Sequence, residues 1–343
     1  MPLPTGELPD TDTDFDAHRQ HRVLSSGKLF KYDIDGSKPA WSYTSRNGGK
    51  TWQRGGQLMA YRASIQGLHN AGVQMASPAH RGRIVLPFYM QMDGRHPDYT
   101  RPERGGYATY MGEKILLETH THTPEMSGSF MVVSDDEGES WQTSEGFLMG
   151  YFEDGHMGFT PGDEPSVVEL SDGRLLCYMR STCGRIVRST SDDGACTWSK
   201  VEPTDLAMSN SPCALARIPG STDLVLIWNQ VSADEIERGY RRGRLSLAIS
   251  RDDAATWERF KTIERISTLN EDARIAPPPL TSMVRGLSGP DTSLGELPDD
   301  FRHYGYPEIY FHDDSMSICY KQPRPRNPEP MKWGTFAVSW VYE

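Results

Sequence analysis

An eight-residue pattern of turn residues ending in tryptophan occurs four times in this chain. In the clearest copy Ser134 begins the stretch, Asp136 and Gly138 follow at alternate positions, and Trp141 closes it. An aspartate can close a turn by accepting backbone N–H groups, and a glycine adopts positive φ without a Cβ clash. The other copies, with Asn for Asp or with the Gly shifted or replaced, are residues 45–52, 191–198 and 250–257.

The spacing of the copies indicates the size of a structural repeat. Their first residues are 89, 57 and 59 positions apart, which suits one four-stranded sheet per repeat with a long insertion in the second. A strand-like run precedes each copy, so the copy is the turn between the last two strands. Sheets of this kind cover their faces and protect their edges when they are arranged radially. The chain is therefore predicted to be an all-β propeller, with five clear blades and an inferred sixth.

The length and the repeats together predict one folded unit. The chain has 343 residues, and we expect a polar, acidic N-terminal arm at 1–27 followed by a single propeller domain at 28–343. Within that domain, residues 91–112 and 287–300 are predicted to be loops, and the first of these is expected to cover one mouth of the propeller. The alternating run 334–342 is predicted to be a strand that closes the ring against the first blade.

Charge and composition narrow the classes of partner. The net charge of −11 argues against nucleic acid, although a local arginine cluster can still bind a small anion. No apolar run reaches transmembrane length, so no membrane partner is expected. The N-terminus lacks the basic region and apolar core of a signal peptide, and the chain as written is expected to be cytoplasmic.

The cysteines and histidines do not predict a cofactor. The five cysteines are odd in number and lack metal-ligand spacing, which favours reduced thiols over a disulfide framework. His120 and His122 flank Thr121, but no third metal ligand accompanies them. We therefore expect no metal and no other cofactor.

One hairpin places two charged side chains at the same rim. Residues 166–170 and 174–180 have the pattern of two strands joined by the tight turn Ser171-Asp172-Gly173. Glu164 enters the first strand and Arg180 ends the second. The hairpin alone leaves two interpretations open, a plain ion pair or part of a functional site.

The stretch from Glu164 through Arg180 resembles the sialidase (neuraminidase) superfamily, in which a Glu and an Arg stand at this spacing before a turn known as the Asp box. The similarity continues through 224–229, 242–257 and 304–320, and is greatest to bacterial sialidase-like proteins. The resemblance implies a six-bladed β-propeller with Asp-box turns. It also implies an exo-glycosidase that hydrolyses a terminal acidic sugar, with the site at the central axis.

The resemblance implies a clamp of arginines for the carboxylate of the sugar. Arg180 matches the second arginine of the family triad, and Arg242 best matches the third, with Arg241 and Arg244 as competing choices. The family's first arginine lies in a motif that this chain lacks, and Arg22 is the nearest stand-in. A guanidinium grips a carboxylate bidentately, so arginines suit this task.

The resemblance also implies a tyrosine nucleophile activated by a glutamate. Tyr306 best matches the nucleophile, with Tyr304 as the second choice, and Glu164 matches the activating carboxylate. A phenol with a reference pKa of about 10 is a poor nucleophile at neutral pH, so a nearby carboxylate must take its proton. The family's acid/base aspartate precedes the first Asp box, where Asp35 is the approximate match.

Two alternatives to the sialidase interpretation remain open at the level of sequence. One is a lyase or glycosidase for uronate-containing polysaccharide, in which His69 or Tyr306 abstracts or donates a proton. The other is a propeller that binds carbohydrate without catalysis. All three interpretations share a carbohydrate partner. In the sialidase interpretation His69 is, beside Asp35, a second candidate for the general acid.

Overall fold

The computed structural model describes most of the chain, and its regular structure is almost entirely β. About 5% of the structure is helical, which confirms the all-β class. No helix within the described residues is long and apolar enough to cross a membrane. The described ranges are 22–32, 40–58, 65–66, 72–91, 105–118, 127–150, 162–238, 240–280, 293–323 and 331–343.

Short strands make up most of the regular structure. The first eleven strands are β1 (Arg22–Val23), β2 (Leu29–Tyr32), β3 (Trp41–Ser45), β4 (Gln53–Gln57), β5 (Ile65–Gln66), β6 (Val73–Gln74), β7 (Ile84–Gln91), β8 (Gly105–Tyr110), β9 (Glu113–Glu118), β10 (Ser127–Ser134) and β11 (Gln142–Thr143). The next eight are β12 (Asp163–Glu169), β13 (Leu175–Arg180), β14 (Arg185–Ser191), β15 (Glu202–Ala207), β16 (Ala214–Arg217), β17 (Leu224–Trp228), β18 (Arg244–Ser250) and β19 (Glu258–Arg265). The last four are β20 (Ser293–Leu297), β21 (Gly305–His312), β22 (Ser315–Lys321) and β23 (Met331–Ala337). The described residues also form one short α-helix, α1 (Ala233–Glu237), and two 3-10 helices, Pro78–His80 and Val338–Tyr342.

Among the described residues, five antiparallel sheets follow one another along the chain. We call them sheet I (β1–β4), sheet II (β5, β6, β7, β10 and β11), sheet III (β12–β15), sheet IV (β16–β19) and sheet V (β21–β23). In sheets I, III and IV each strand pairs with the next in the sequence, because short turns connect them. This up-and-down order is the one that the repeat predicted.

Apolar side chains fill the spaces between successive sheets. Phe30 of sheet I lies in one cluster with Phe88 of sheet II, and Tyr178 of sheet III lies in another with Trp228 of sheet IV. A third cluster joins sheets II and III, and a fourth joins sheets IV and V. Each sheet is therefore covered by a neighbour on at least one face, as stacked sheets require.

The four repeated turns share one hydrogen-bond pattern. In every copy the hydroxyl of the first serine accepts the N–H of the fifth residue, as in Gly138 N to Ser134 Oγ at 2.8 Å and Ala254 N to Ser250 Oγ at 2.9 Å. In every copy the third residue accepts the N–H of the seventh, whether it is Asp136 or Asn47. Each turn joins the last two strands of its sheet, which confirms the prediction for these stretches.

Two predicted loops contain strands instead. Residues 105–110 and 113–118 form the hairpin β8–β9, and β20 runs parallel to β8. These three strands make a mixed sheet. The loop predictions for 91–112 and 287–300 were wrong at these positions. The pairing of β20 with β8 joins distant parts of the sequence, so local pattern cannot show it, whereas the β8–β9 hairpin is local and was missed.

The end of the chain also differs from the prediction. Strand β23 ends at Ala337, and Val338–Tyr342 form a 3-10 helix rather than a continued strand. In the described structure β23 pairs with β22 and not with the first sheet. The rings of Phe336 and Trp340 stack with their centroids 4.3 Å apart. This contact packs the 3-10 helix against sheet V, so the chain leaves the extended conformation after Ala337.

Candidate functional site

Glu164 enters the first strand of sheet III at a bulge. Asp163 pairs with Arg180, but the register shifts before Ser166, so Glu164 is displaced from the ladder. Its φ is 40°, a left-handed value that is unusual for a residue with a Cβ. Pro165 follows and cannot donate to the ladder. The bulge turns the Glu164 side chain out of the regular alternation of the strand.

Tyr306 lies in the same local geometry on the first strand of sheet V. The register of β21 and β22 shifts between Gly305 and Glu308, and Tyr306 has a φ of 54°. A proline, Pro307, follows it as Pro165 follows Glu164. Two sheets thus present a strained residue at the start of their first strand, a feature that is frequent at functional sites.

Glu164 and Arg180 form a buried ion pair. Arg180 Nη1 donates to Glu164 Oε2 at 2.6 Å, and the two side chains are only 4% and 5% exposed. Arg180 Nε also donates to Asn210 Oδ1 at 2.5 Å. Burial lowers the pKa of Arg180, but the charges of Glu164 and Asp163 outweigh that effect and raise it above its ordinary value. Arg180 is therefore a permanent cation.

Arg242 approaches the pair from sheet IV. Its Nη2 donates to the carbonyl of Asn210 at 2.9 Å, and its guanidinium carbon lies 5.4 Å from the centroid of the Tyr306 ring. Burial is the largest influence on its pKa and lowers it. A Cβ on Gly305 would make an ordinary contact with Arg242 Nη1 at 3.4 Å, so the guanidinium lies beside the backbone that precedes Tyr306.

Arg241 adds a third guanidinium to this region. Its pKa falls to about 9, because burial and then the positive charges of Arg242 and Arg180 disfavour its charged form. In the described part of the chain the Arg241 guanidinium has no hydrogen-bond or ion-pair partner. Arg244, the other competing choice, is fully buried and bonds to Glu235 and Asn270, so its role is structural.

Tyr306 is surrounded by charges of both signs. The charge of Glu164 is the largest influence on its pKa and raises it, and burial raises it further. Arg242 and Arg180 act in the opposite direction, and the phenol also hydrogen-bonds to Glu164. The Nζ of Lys321 lies 5.3 Å from the ring centroid. The phenol is thus protonated in the resting protein and sits beside a carboxylate that can accept its proton.

Arg22 and Tyr304, two further predicted residues, lie in different surroundings. Arg22 donates to the carbonyl of Gly72, and burial lowers its pKa while Tyr32 and Tyr310 raise it. It therefore sits where sheets I, II and V meet. Tyr304 is 5% exposed, and its ring packs against that of Tyr320 at 6.3 Å. Burial raises the pKa of Tyr304 above its ordinary value. Tyr304 belongs to the apolar cluster of sheets IV and V, and after burial the charges that act on its phenol are those of Glu264, Arg302 and Asp300.

Asp35 and His69 lie outside the described residues. The two candidates for the general acid are thus not placed, and their roles remain predictions. Within the described residues, no group of three His, Cys, Asp or Glu side chains comes together as a metal site would require.

The structure adds site residues that sequence reasoning missed. Tyr89 of β7 is 3% exposed and lies near Glu164, Asp163 and Tyr306, whose charges raise its pKa after burial, the largest effect. Asn210 bridges the Arg180 side chain and Arg242. Neither lies in a recognisable motif. The available signal for Tyr89 was the repeat, because Tyr89 pairs with Ser129, five residues before the turn at 134–141.

His303 borders the arginine cluster but is poorly suited to acid or base chemistry. Burial, followed by the positive charges of Arg241 and Arg242, lowers its pKa to about 3. The imidazole is therefore neutral across the physiological range and a weak base. Its ring packs edge-on against Phe301 at 5.0 Å.

Taken together, the described side chains place three guanidinium groups, a carboxylate and a phenol in one region. Arg180, Arg241 and Arg242 supply three guanidinium groups, and Glu164 is the carboxylate paired with the first. A phenol stands between that carboxylate and Arg242. Such an arrangement can bind the carboxylate of a ligand bidentately and hold a hydroxyl group, with a proton acceptor beside it, next to the rest of that ligand.

Solved structures with a similar chain trace include several sialidases. A leech intramolecular trans-sialidase, complexed with 2,7-anhydro-Neu5Ac, is 13% identical, with a TM-score of 0.49, and the match covers 98% of this chain and 51% of that one. A sialidase from Trypanosoma rangeli, in complex with the inhibitor DANA, is 12% identical with a TM-score of 0.42, covering 92% and 55%. A protein of unknown function from Dyadobacter fermentans is 14% identical with a TM-score of 0.41, covering 92% and 94%. The present chain spans about half the length of the leech enzyme.

A sequence profile gives the family. The profile of the BNR repeat-like domain matches residues 28–318, which is most of the chain. The matched region begins before the first of the four repeated turns and contains Glu164, Arg180 and Tyr306. This chain therefore belongs to the BNR repeat-like domain family.

Proposed function

We propose that this protein is a sialidase-like exo-glycosidase that hydrolyses a terminal acidic sugar, sialic acid or a relative of it, with retention. The observation that carries the proposal is the convergence of Tyr306, Glu164 and three arginines from sheets III, IV and V. An ion pair serving stability alone needs neither the phenol nor the two further guanidinium groups. Their surplus positive charge suits an anionic ligand.

Recognition of the sugar carboxylate rests on the arginines. Arg180 and Arg242 share Asn210 as an acceptor, which fixes their guanidinium groups relative to each other. Arg241, whose N–H groups have no acceptor among the described residues, serves as the third member of the clamp, with Arg22 as the alternative. Fork-shaped contacts to both carboxylate oxygens set the orientation of the ring.

The covalent step uses Tyr306 and Glu164. The phenol oxygen attacks the anomeric carbon as the bond to the leaving-group oxygen breaks, and Glu164 takes the phenol proton. The leaving oxygen takes a proton from a general acid, for which Asp35 and His69 remain the candidates. Water then attacks the anomeric carbon and gives a proton to the conjugate base of the general acid, while the bond from that carbon to the Tyr306 oxygen breaks and Glu164 returns the proton to the phenolate. Two displacements at one carbon preserve its configuration.

A propeller is the architecture that we propose for this site, with sheets I to V as five blades in chain order. The sixth blade remains a prediction, because β16 and β17 of sheet IV contact β21 of sheet V directly and the mixed sheet of β8, β9 and β20 packs beside both. Residues Ala108 and Leu297 of the mixed sheet share one apolar cluster with sheets IV and V. Arg22 of β1 and Tyr310 of β21 interact electrostatically, which supports closure of the ring between sheets I and V.

A panel of fluorogenic glycosides tests the proposed function. We expect the wild type to hydrolyse an acidic glycoside, a sialoside or a glucuronide, and to leave a neutral galactoside intact. Arg242→Gln should raise KM for the acidic substrate by at least about 10-fold, since a charge-assisted hydrogen bond contributes about 1.5–3 kcal/mol. Arg174→Gln, at an exposed pair with Asp172, is the matched control and should not change KM.

The same panel separates the alternatives. If the protein forms unsaturated products that absorb in the ultraviolet from a uronate polysaccharide, it is a lyase and the glycosidase proposal is wrong. Binding of an acidic sugar without turnover of any substrate would replace it by a non-catalytic carbohydrate-binding propeller. Preferential hydrolysis of the neutral galactoside would contradict the role given to the arginines.

A further inference from the structure

Lys321 is a cation beside the nucleophile of the proposed site that the mechanism does not use. Its side chain is half-buried, and its Nζ lies 5.3 Å from the centroid of the Tyr306 ring. A lysine ammonium over a ring and within about 6 Å of its centroid is attracted to the electron-rich face. Lys321 therefore acts on the ring of the group that attacks the sugar.

The local fold of sheet V places Lys321 at this ring. Lys321 is the last residue of β22 and pairs with Gly305 of β21. Gly305 brings no side chain into the space across from Lys321, and the register shift after Gly305 displaces Tyr306 from the ladder. The bulge that gives Tyr306 its left-handed φ thus also puts its ring beside the end of the neighbouring strand.

Arg242 is a second cation at the same ring. Its guanidinium carbon lies 5.4 Å from the ring centroid, and its Nη2 donates to the carbonyl of Asn210 at 2.9 Å. Arg242 precedes β18 of sheet IV and Lys321 ends β22 of sheet V, so the two cations reach the ring from two sheets. One cation over an aromatic ring is a common stabilising contact. Two cations at the ring of a nucleophile also change the chemistry of that ring.

A cation over the ring discriminates between the two ionisation states of a phenol. A neutral phenol offers the cation only the quadrupole of its ring, whereas a phenolate spreads part of its negative charge into the ring. A fixed ammonium over the ring therefore stabilises the phenolate more than the phenol. Such a contact accelerates a step in which the phenolate develops, because it is stronger in the transition state than before it.

Phenolate character develops in both displacements, with different consequences. In the first, a cation at the ring helps Glu164 to take the proton but makes the Tyr306 oxygen a weaker nucleophile, so the two effects offset each other. In the second, water attacks the anomeric carbon, and the electron pair of the bond from that carbon to the Tyr306 oxygen stays on the oxygen. The cation makes this phenolate a better leaving group, so its effect falls on the second displacement.

We propose that Lys321 is a positioning residue that acts through Tyr306: its ammonium holds the ring and stabilises the phenolate that leaves the anomeric carbon in the second displacement. This role rests on the proposed glycosidase function. It requires the positive charge of Lys321 and no contact between Lys321 and the sugar.

Kinetics of Lys321→Met test this role, because methionine keeps an unbranched apolar stem and removes the charge. We expect kcat for a fluorogenic acidic glycoside to fall by about 10-fold, the order of one desolvated cation–π contact. Because the glycosyl-tyrosine then accumulates, KM should fall by a similar factor, and kcat/KM should stay within about two-fold of wild type. Lys321→Arg keeps the charge and should recover most of the lost kcat.

The accumulating intermediate can be observed directly. Intact-protein mass spectrometry of enzyme quenched in the steady state should show more glycosylated protein for Lys321→Met than for wild type. Lys114→Met is the matched control, because Lys114 Nζ lies 3.7 Å from the centroid of the Tyr107 ring in the mixed sheet, and it should leave kcat and KM unchanged. An unchanged kcat for Lys321→Met, or a fall in kcat/KM equal to the fall in kcat, overturns the proposal.

A second measurement does not depend on turnover. If Lys321 contacts the face of the ring, the loss in denaturant midpoint caused by Lys321→Met should shrink by at least half when Tyr306 is already Leu, and should persist when Tyr306 is Phe, which keeps the ring. Equal losses in the Leu and wild-type backgrounds overturn the contact, and with it the proposal. Should wild-type protein hydrolyse no acidic glycoside, the proposed function fails together with the catalytic role, and this cycle still decides whether Lys321 holds the Tyr306 ring.

Discussion

At the scale of single residues, the site is built on two strained backbone positions. Glu164 and Tyr306 both have positive φ, both sit at a bulge, and both precede a proline. Such conformations cost about 1–3 kcal/mol each. The surrounding ion pair and hydrogen bonds offset that cost, and the result is a phenol and a carboxylate from different sheets held in contact.

The ionisation of Tyr306 gives a prediction at this scale. The charge of Glu164, and then burial, raise the pKa of Tyr306 above its ordinary value of 10.0. Since the folded-state pKa exceeds that of the unfolded chain, the resulting stability is fully present below about pH 10 and is lost as the pH rises through the folded-state value. An ultraviolet titration of tyrosinate, wild type minus Tyr306→Phe, should show one phenol ionising above about pH 10.

Glu164→Gln is the control for that titration. Because the charge of Glu164 is the largest influence on the Tyr306 pKa, its removal should move the ionisation toward lower pH. A midpoint that does not move would contradict the proximity of the two groups. A midpoint at or below the ordinary value of 10.0 in the wild type would contradict the raised pKa.

The sequence could reveal only part of this site. Glu164 and Arg180 stand on one hairpin, so local pattern together with the family resemblance was enough to pair them. Arg241 was a competing choice for the third arginine, whereas Asn210 and Tyr89 were not predicted, because they join the site from other parts of the chain through packing between sheets. No short-range signal encodes such contacts.

At the scale of elements, the four turns show what the repeat preserves. The fifth residue has positive φ in every copy, at Gly49, Gly138, Ala195 and Ala254. Glycine is thus favoured there without being required, because the serine and aspartate hydrogen bonds hold the backbone in place. This explains why degenerate copies still fold alike.

Substitutions at Asp136 test the turn. Asp136 Oδ1 accepts the N–H of Ser140 at 2.8 Å, and Asn47 performs the same task in the first turn. Asp136→Ala should therefore lower the free energy of unfolding by about 1–2 kcal/mol, the cost of a lost capping bond, whereas Asp136→Asn should cost less than half of that. Denaturant unfolding measures both variants. Equal effects would show that the amide cannot replace the carboxylate.

The elements divide into those that local pattern predicts and those that it does not. Strands beside the repeated turns, such as β14 and β18, were predicted because alternation and turn residues are local signals. The mixed sheet was not, since β20 pairs in parallel with β8, a strand far away in the sequence. The final 3-10 helix was missed because its sequence alternates as a strand would.

At the scale of the whole molecule, the C-terminal 3-10 helix fastens two sheets together. Tyr342 donates to Asp223 of the sheet IV region at 2.8 Å, and Lys261 of β19 lies 5.0 Å from the ring centroid of Trp340. Val338 N–H donates to Asp314 of sheet V. Between them, Val341 is completely buried.

Truncation of the buried Val341 side chain should destabilise the whole fold. Val341→Ala removes two buried methyl-sized groups and leaves a cavity, so we expect a loss of about 2 kcal/mol in the free energy of unfolding. Val23→Ala, at a position 73% exposed, is the matched control and should change it by less than about 0.5 kcal/mol. Thermal melts of both variants measure the difference. Equal shifts would show that the helix does not fasten the sheets.

The charge of the whole molecule and the charge of the site are opposite in sign. The chain carries a net charge of −11, yet three guanidinium groups meet near one carboxylate and one phenol. Composition therefore argued against a polyanionic partner and said nothing about a small anion. The local cluster decides which ligand the site attracts.

The most direct test of the proposed mechanism is hydrolysis of a fluorogenic sialoside by wild type and by Tyr306→Phe. We predict turnover by the wild type and loss of at least about 1,000-fold in kcat when the nucleophilic hydroxyl is removed. Melting temperatures of the two proteins verify that both are folded. Equal rates for wild type and Tyr306→Phe would contradict the assignment of the nucleophile, and with it the central claim.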